Sequence, residues 1–366
     1  MIPYRKLDLR IRKYTKFLHP LKSTILKLLT SPSFLQSIPQ VSMSSISSHH
    51  SDSSSMDKSP GSHLPNDTKP FSLSSYPTPL SPPLPLISKQ IELNRAMDAS
   101  SRSSLYSLSR ENVIFEDQWL IVVNKPSGIY CESVLSSVPQ FLQHSADSVE
   151  ASEFHLANRL DRDTSGVMVI TKSHKVASKL VKAFTDHKVQ KTYVALCVGS
   201  APEWDKIRLK SGHGRSKYGA WRVYAASDVG QTLPGGSVVK DMETLFELLS
   251  LNRVVQHKGS LDYKTDVERT VVIQEKSLAD ATQRRDEILV RAFPKSGRTH
   301  QIRLHCQYLG IPIKGDVKYE GVNEWKGEIC NAHNLHAESL SLEHPVTGLP
   351  VQFRAALPQW AIKAMQ

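Results

Sequence analysis

Four short runs rich in β-branched, aliphatic and aromatic residues constrain the fold most: Leu120–Val123, Val167–Thr171, Thr192–Val198 and Leu289–Phe293. Each has the length of a strand, and none is long enough for a buried helix. Lys125-Pro126 ends the first, since proline cannot donate to a strand ladder. After the second, Val176, Ala177, Leu180, Val181 and Phe184 recur at helical spacing, with Lys175, Lys179 and Lys182 on other faces. That stripe predicts an amphipathic helix packed on the core, and its lysines suit either a solvated face or a phosphate track. Thr299 to Leu309 predicts a further helix, stopped by Gly310 and Pro312, with Thr299 and Arg303 one turn apart on one side. Strands with intervening helices and hairpin-like connections predict an α+β fold and not a parallel doubly wound sheet.

The 366 residues suffice for one sizeable domain and a leader. Residues 1–50 carry eight Lys/Arg against the single acidic Asp8, so they supply +7 of the net +11. Residues 1–43 read as a basic leader whose composition fits a transit peptide, with a mitochondrion or chloroplast as destination; a tail with no address would leave the protein in cytoplasm or nucleus. Lys22 and Lys27 interrupt its longest apolar stretch, so no membrane span is expected. Residues 44–109, rich in Ser and Pro, are expected to be a disordered linker, and order is expected to begin near Glu111. The ordered domain then covers 110–366. Its four cysteines, at 131, 197, 306 and 330, form no Cys-x-x-Cys pair or zinc spacing, and Cys197 and Cys306 lie in apolar patterns that suit small buried hydrophobes.

Three motifs carry chemistry. Arg159-Leu160-Asp161-Arg162-Asp163-Thr164-Ser165-Gly166 sets a carboxylate among arginines in a turn, immediately before an apolar run. Lys191-Thr192-Tyr193-Val194-Ala195 follows about thirty residues on, and Gly297-Arg298-Thr299-His300-Gln301-Ile302-Arg303-Leu304-His305 lies far downstream. By itself the first motif is also ordinary turn chemistry, with Asp, Ser and Thr bonding nearby backbone. The segment 211–222 interleaves glycine, basic and aromatic residues, Arg215 and Lys217 among them, which suits either RNA contact or an exposed hairpin.

These motifs, with Asn124-Lys125-Pro126-Ser127-Gly128, Leu335–Leu340 and His344-Pro345-Val346-Thr347-Gly348, resemble those of RluA-type RNA pseudouridine synthases over roughly residues 110–357. The resemblance implies a mixed, mostly antiparallel sheet with flanking helices and a cleft across it. It implies isomerisation of uridine to pseudouridine in transfer or ribosomal RNA, without cofactor or metal. Asp161 is then the catalytic carboxylate, Arg303 its charge partner and Tyr193 the ring against uracil. Arg159 contacts RNA and keeps the target flipped out, and Leu304 packs near the carboxylate to exclude water. Two departures stand out: Asn158 replaces a histidine, and 254–288 looks like an insertion. A catalytically silent RNA-binding protein on the same fold is the competing expectation.

The second carboxylate, Asp163, invites comparison with glycoside hydrolysis, but spacing in a turn does not place two groups about one bond. No spaced His/Asp/Glu cluster completes a metal sphere. His155 has no assigned role beyond structure, and nothing suggests an obligate assembly, so a monomer is expected.

Overall fold

A computed structural model describes residues 76–143, 153–255, 268–276 and 285–366. The basic leader 1–43, the linker up to residue 75 and parts of the expected insertion lie outside the described residues. In chain order come α1 (Ser88–Ser104), β1 (Val113–Glu116), β2 (Leu120–Lys125), α2 (Cys131–Gln143), β3 (His155–Leu156) and β4 (Ser165–Thr171). Next are α3 (His174–Thr185), β5 (Gln190–Gly199), β6 (Lys206–Arg215), β7 (Trp221–Tyr224), β8 (Lys240–Leu251), β9 (Val254–Val255) and β10 (Arg269–Val272). The chain continues through β11 (Asp286–Pro294), α4 (Gln301–Tyr308), β12 (Glu324–Trp325), β13 (Glu328–Ile329), β14 (Leu335–Glu343), β15 (Pro350–Arg354) and α5 (Gln359–Lys363).

One 13-stranded sheet runs β1-β2-β4-β14-β5-β11-β8-β6-β10, with β3, β15, β9 and β7 paired to β4, β14, β8 and β6. Among the described strands, only β14 with β4, and β10 with β6, are parallel. The sheet is thus mixed and mostly antiparallel with flanking helices, an α+β fold.

Two strands explain the continuous apolar runs. Leu120, Val122, Val167 and Val169 face Val176 and Leu180 of α3, whereas Ile121, Val123, Met168 and Ile170 face Val134, Val138 and Leu142 of α2. β2 and β4 are therefore covered on both faces, and each such side chain contributes about 1.5–3 kcal/mol by leaving water. The other half repeats the arrangement. Ala195, Cys197, Ile288 and Val290 pack with Ile302, Leu304 and Cys306 of α4, and Val194, Leu196 and Leu289 with Ala361 of α5 and Ala364 just after it. As expected, Cys197 and Cys306 are buried and free, with their Sγ atoms 4.0 Å apart.

Where the halves meet, β4 touches β14 through just two register pairs, His336 with Ser165 and Ala337 with Gly166. Gly166 has φ +114, and a Cβ there would lie 2.2 Å from the Ala337 carbonyl oxygen. The glycine closing the first motif is thus what lets the sheet join beside that turn. Gly166→Ala is expected to destabilise the fold by about 3 kcal/mol or more. Urea unfolding measures this, and wild-type stability in the variant would refute the tight crossing.

Two expectations need correction. Residues 44–109 are not structureless throughout: α1 spans Ser88–Ser104, and the chain already pairs at Leu80, whose N–H bonds the Val223 carbonyl. Its anchor is polar. Arg95 is buried and donates to the carbonyls of Gly315, at 2.7 Å, and of Cys330, while Leu93 and Met97 stay exposed. Secondly, α4 begins at Gln301, because His300 is left-handed at φ 58, so Thr299 is not a helical neighbour of Arg303. The segment 254–288, which looks like an insertion in sequence, contributes β9, β10 and the start of β11 to the sheet.

Candidate active site

The loop between β3 and β4 carries the first motif, and buried polar contacts fix its shape. Lys125, fully buried at the end of β2, donates to the carbonyls of Pro126, Ile129 and Arg162 at 2.8, 2.8 and 2.9 Å. Burial lowers its pKa to about 8, yet three carbonyl acceptors suit the ammonium form. The Gly128 N–H also reaches the Arg162 carbonyl, and Ser127 Oγ donates to that of Asp163. The Asn158 amide takes the Val169 N–H at 2.8 Å and donates to the Val167 carbonyl, tying the loop to β4.

Asp163 is turned inward, 4% exposed, and is held by Arg162 through two bonds of 2.7 Å. Arg159 pairs with Glu132 at 2.9 Å, and both are exposed at the cleft edge. Of the two carboxylates in the turn, only Asp161 lines the cleft.

Arg303, in the first turn of α4, meets Asp161 there. Its Nη1 donates to Asp161 Oδ2 at 2.7 Å, while Nε and Nη2 donate to Asp316 at 2.6 and 2.8 Å. Its guanidinium also lies 5.0 Å from the centre of the Tyr319 ring. Asp316 is 1% exposed, so one arginine bridges a buried carboxylate and the partly open Asp161, which is 30% exposed. Burial disfavours ionisation of Asp161, but the Arg303 guanidinium outweighs it and holds the carboxyl well below the usual range. An anionic oxygen thus faces the cleft at any physiological pH.

The cleft encloses about 570 Å³, room for one everted nucleotide. Tyr193 on β5 lines it beside Ile302 and Leu335. Burial pushes the Tyr193 phenol above its ordinary range, so its hydroxyl stays neutral. Lys191 also lines the cleft and donates to the carbonyls of Lys295 and Ser296 at 3.2 and 3.0 Å. Among the described residues no group of three or more His, Cys, Asp or Glu is placed to hold a metal, and no helix is long and apolar enough to cross a membrane.

The structure therefore brings Asp161, Arg303, Tyr193 and Arg159 together, and three expected residues lie elsewhere. Leu304 is fully buried in the core under α4, because the helix turns it away from its neighbour Arg303; Ile302 and Leu335 form the apolar wall instead. Arg215 and Lys217 belong to the β6–β7 hairpin and do not line the cleft; they sit over Trp221 and Tyr218. Sequence reasoning assigned no role to Lys125, His300 or Asp316. Lys125 carries a signal, a lysine just beyond an apolar run and directly before a proline, whereas Asp316 sits in a loop with no pattern to mark it.

Similarity to known proteins agrees with this geometry. A family model described as RNA pseudouridylate synthase matches residues 119–308. A protein named RNA pseudouridine synthase 1 from Arabidopsis thaliana is 60% identical over 289 residues, 78% of this chain and 87% of that protein. One named ribosomal large subunit pseudouridine synthase C from Haemophilus influenzae is 31% identical over 272 residues, 73% of this chain and 71% of that protein. Among solved structures, human RNA pseudouridylate synthase domain containing 4 is 20% identical, covers 75% of this chain and 96% of that one, and has a TM-score of 0.47. With a family match over more than half of its length and this identity to a plant synthase, the chain belongs to the RNA pseudouridylate synthase family.

Proposed function

We propose that Asp161 is the carboxylate with which this enzyme opens the glycosidic bond when it isomerises uridine in RNA to pseudouridine. The observation carrying this is the 2.7 Å pair with Arg303, which favours the ionised carboxylate and holds its oxygen inside a nucleotide-sized cleft. Two routes use it. In one, the carboxylate attacks C1′, the C1′–N1 bond breaks, and uracil leaves as an anion; in the other, it takes the C2′ proton and the electrons of that bond expel uracil. The base then turns and C5 bonds C1′, as the C1′–carboxylate bond breaks in the first route or as the carboxyl returns its proton to C2′ in the second; C5 loses its proton and N1 gains one. The second carbon–base bond restores what the first step removed, so no cofactor is consumed.

Tyr193 stacks on the detached base, at about 1–3 kcal/mol per ring. Tyr193→Ala is therefore expected to lower turnover about 10- to 100-fold in a folded protein, and near-normal turnover would remove it from the site. Arg159, at the cleft edge, contacts the RNA around the everted nucleotide.

The substrate class is ribosomal or transfer RNA, and the relative named for the ribosomal large subunit makes ribosomal RNA the first to try. Tritium release from C5-labelled uridine in each RNA tests this, and RNA binding without release from either would favour the silent scaffold. One chain supplies Asp161, Tyr193 and Arg303, which supports a monomer; light scattering of the protein with RNA tests it. Residues 1–43 are an organelle import leader, supported by their basic, acid-poor composition. Fusing them to a fluorescent protein should direct it to mitochondria or plastids, and diffuse fluorescence would oppose this.

A further inference from the structure

His300 is held in an unusual state that the chemistry assigned to Asp161 leaves unused. Its backbone is left-handed, φ 58, a conformation that strains a non-glycine residue. The turn aims the imidazole into the cleft, with Nε2 3.7 Å from Asp161 Oδ2, too long for a hydrogen bond. On its other side Nδ1 lies 2.7 Å from the Tyr319 hydroxyl. Tyr319 is 1% exposed, and among the described residues this is the hydrogen bond its side chain makes.

A buried phenol must place its proton on an acceptor, since a donor left unsatisfied there keeps its full desolvation penalty. Nδ1 is that acceptor, so the imidazole proton sits on Nε2 and points into the cleft. Burial, reinforced by the neighbouring Arg303 guanidinium, lowers the His300 pKa to about 3, which keeps the ring neutral.

We propose that His300 Nε2–H is the hydrogen-bond donor that holds the uracil through its turn, first by O2 and then by O4. This rests on Asp161 being the carboxylate that engages the ribose. A group 3.7 Å from that carboxylate lies beside C1′, and O2 is the uracil acceptor nearest C1′. Breaking the C1′–N1 bond puts negative charge on N1 and O2, and a fixed donor aimed there strengthens its bond as the charge develops. A half-turn of the ring about its N3–C6 axis exchanges N1 with C5 and O2 with O4. One stationary donor therefore meets an anionic carbonyl oxygen both before and after the turn. No proton is transferred in this step, and Tyr319 serves as the positioning residue that sets the tautomer.

The chemistry of His300→Asn and His300→Gln separates this role from a structural one. Asn tolerates the left-handed backbone and places its amide near Nδ1, keeping the Tyr319 bond but losing the donor in the cleft. Gln reaches the Nε2 position and keeps the donor while giving up Tyr319. Single-turnover rates should fall about 100-fold in the Asn variant and recover to within about tenfold of wild type in the Gln variant, with RNA affinity unchanged in both. The reverse order would overturn the proposal, because a residue that merely holds Tyr319 tolerates Asn and not Gln. RNA carrying 2-thiouridine, whose sulfur is a poor acceptor, gives an independent readout. Thio-substitution should slow the wild type but add little to the Asn variant, and multiplying losses would oppose the contact. Asp161→Asn measured alongside keeps the two proposals apart: activity in that variant overturns the carboxylate assignment, whereas its inactivity together with a failed His300 series overturns only the donor.

Discussion

Asp161→Asn is expected to reduce tritium release from C5-labelled uridine RNA by about 10³-fold or more, with the protein folded and RNA affinity within a few-fold of wild type. An amide has the same shape but is a poor nucleophile and a poor proton acceptor, so both routes for opening the glycosidic bond fail together. Folding survives because Arg303 keeps its two bonds to Asp316, and because the loop backbone is fixed by Lys125, Ser127 and Thr164 and not by the Asp161 side chain. The neighbouring Asp163 offers no substitute. It is turned away from the cleft and engaged by Arg162, so residual activity cannot be charged to it. Release at near wild-type rate in Asp161→Asn would sink the assignment and require another nucleophile in the cleft.

How much of this was legible in the sequence depended on how each residue is buried. β2, β4, β5 and β11 stood out because both their faces are covered, leaving unbroken apolar runs. β8 is harder to recognise. Met242, Thr244, Phe246, Leu248 and Ser250 point inward at strand period, but two of the five are polar and Leu245 and Leu249 blur the alternation from the other face. α1 escaped because its buried stripe is Ser88, Arg95, Ala99 and Ser103, so a periodicity search for apolar residues finds nothing.

Within the site, Asp161, Tyr193 and Arg303 were found through family motifs, since no spacing links positions so far apart in sequence. Motif adjacency then misled. Leu304 follows Arg303 directly, yet a helix turns consecutive side chains by about 100°, and it sank into the core. His300 stayed hidden for a related reason, since its role depends on a left-handed backbone that a helical pattern over 299–309 denies.

Arg303→Met separates what the arginine does for chemistry from what it does for stability. In the wild type Asp161 titrates well below the usual carboxylate range, so the activity profile above roughly pH 5 should show no limb from it. Without the guanidinium, the largest effect opposing burial is gone and the Asp161 pKa rises. The variant's rate should then climb with pH through that new value, starting about 10²-fold or more below wild type near neutrality. An unchanged profile would count against the pairing. Stability changes with opposite sign. A carboxylate with a depressed folded pKa stabilises above its unfolded pKa and loses that contribution as pH falls through the folded value, which is the wild-type behaviour of Asp316. In Arg303→Met, Asp316 is 1% exposed and unpaired, so ionising it costs about 3–5 kcal/mol and the variant should become less stable as pH rises. Adding Asp316→Asn removes that buried charge and should recover most of the melting temperature at neutral pH, while the rate stays low and its profile stays shifted. Recovery of both together would mean that Arg303 acts only by holding the fold, and that Asp161 does not need its charge partner.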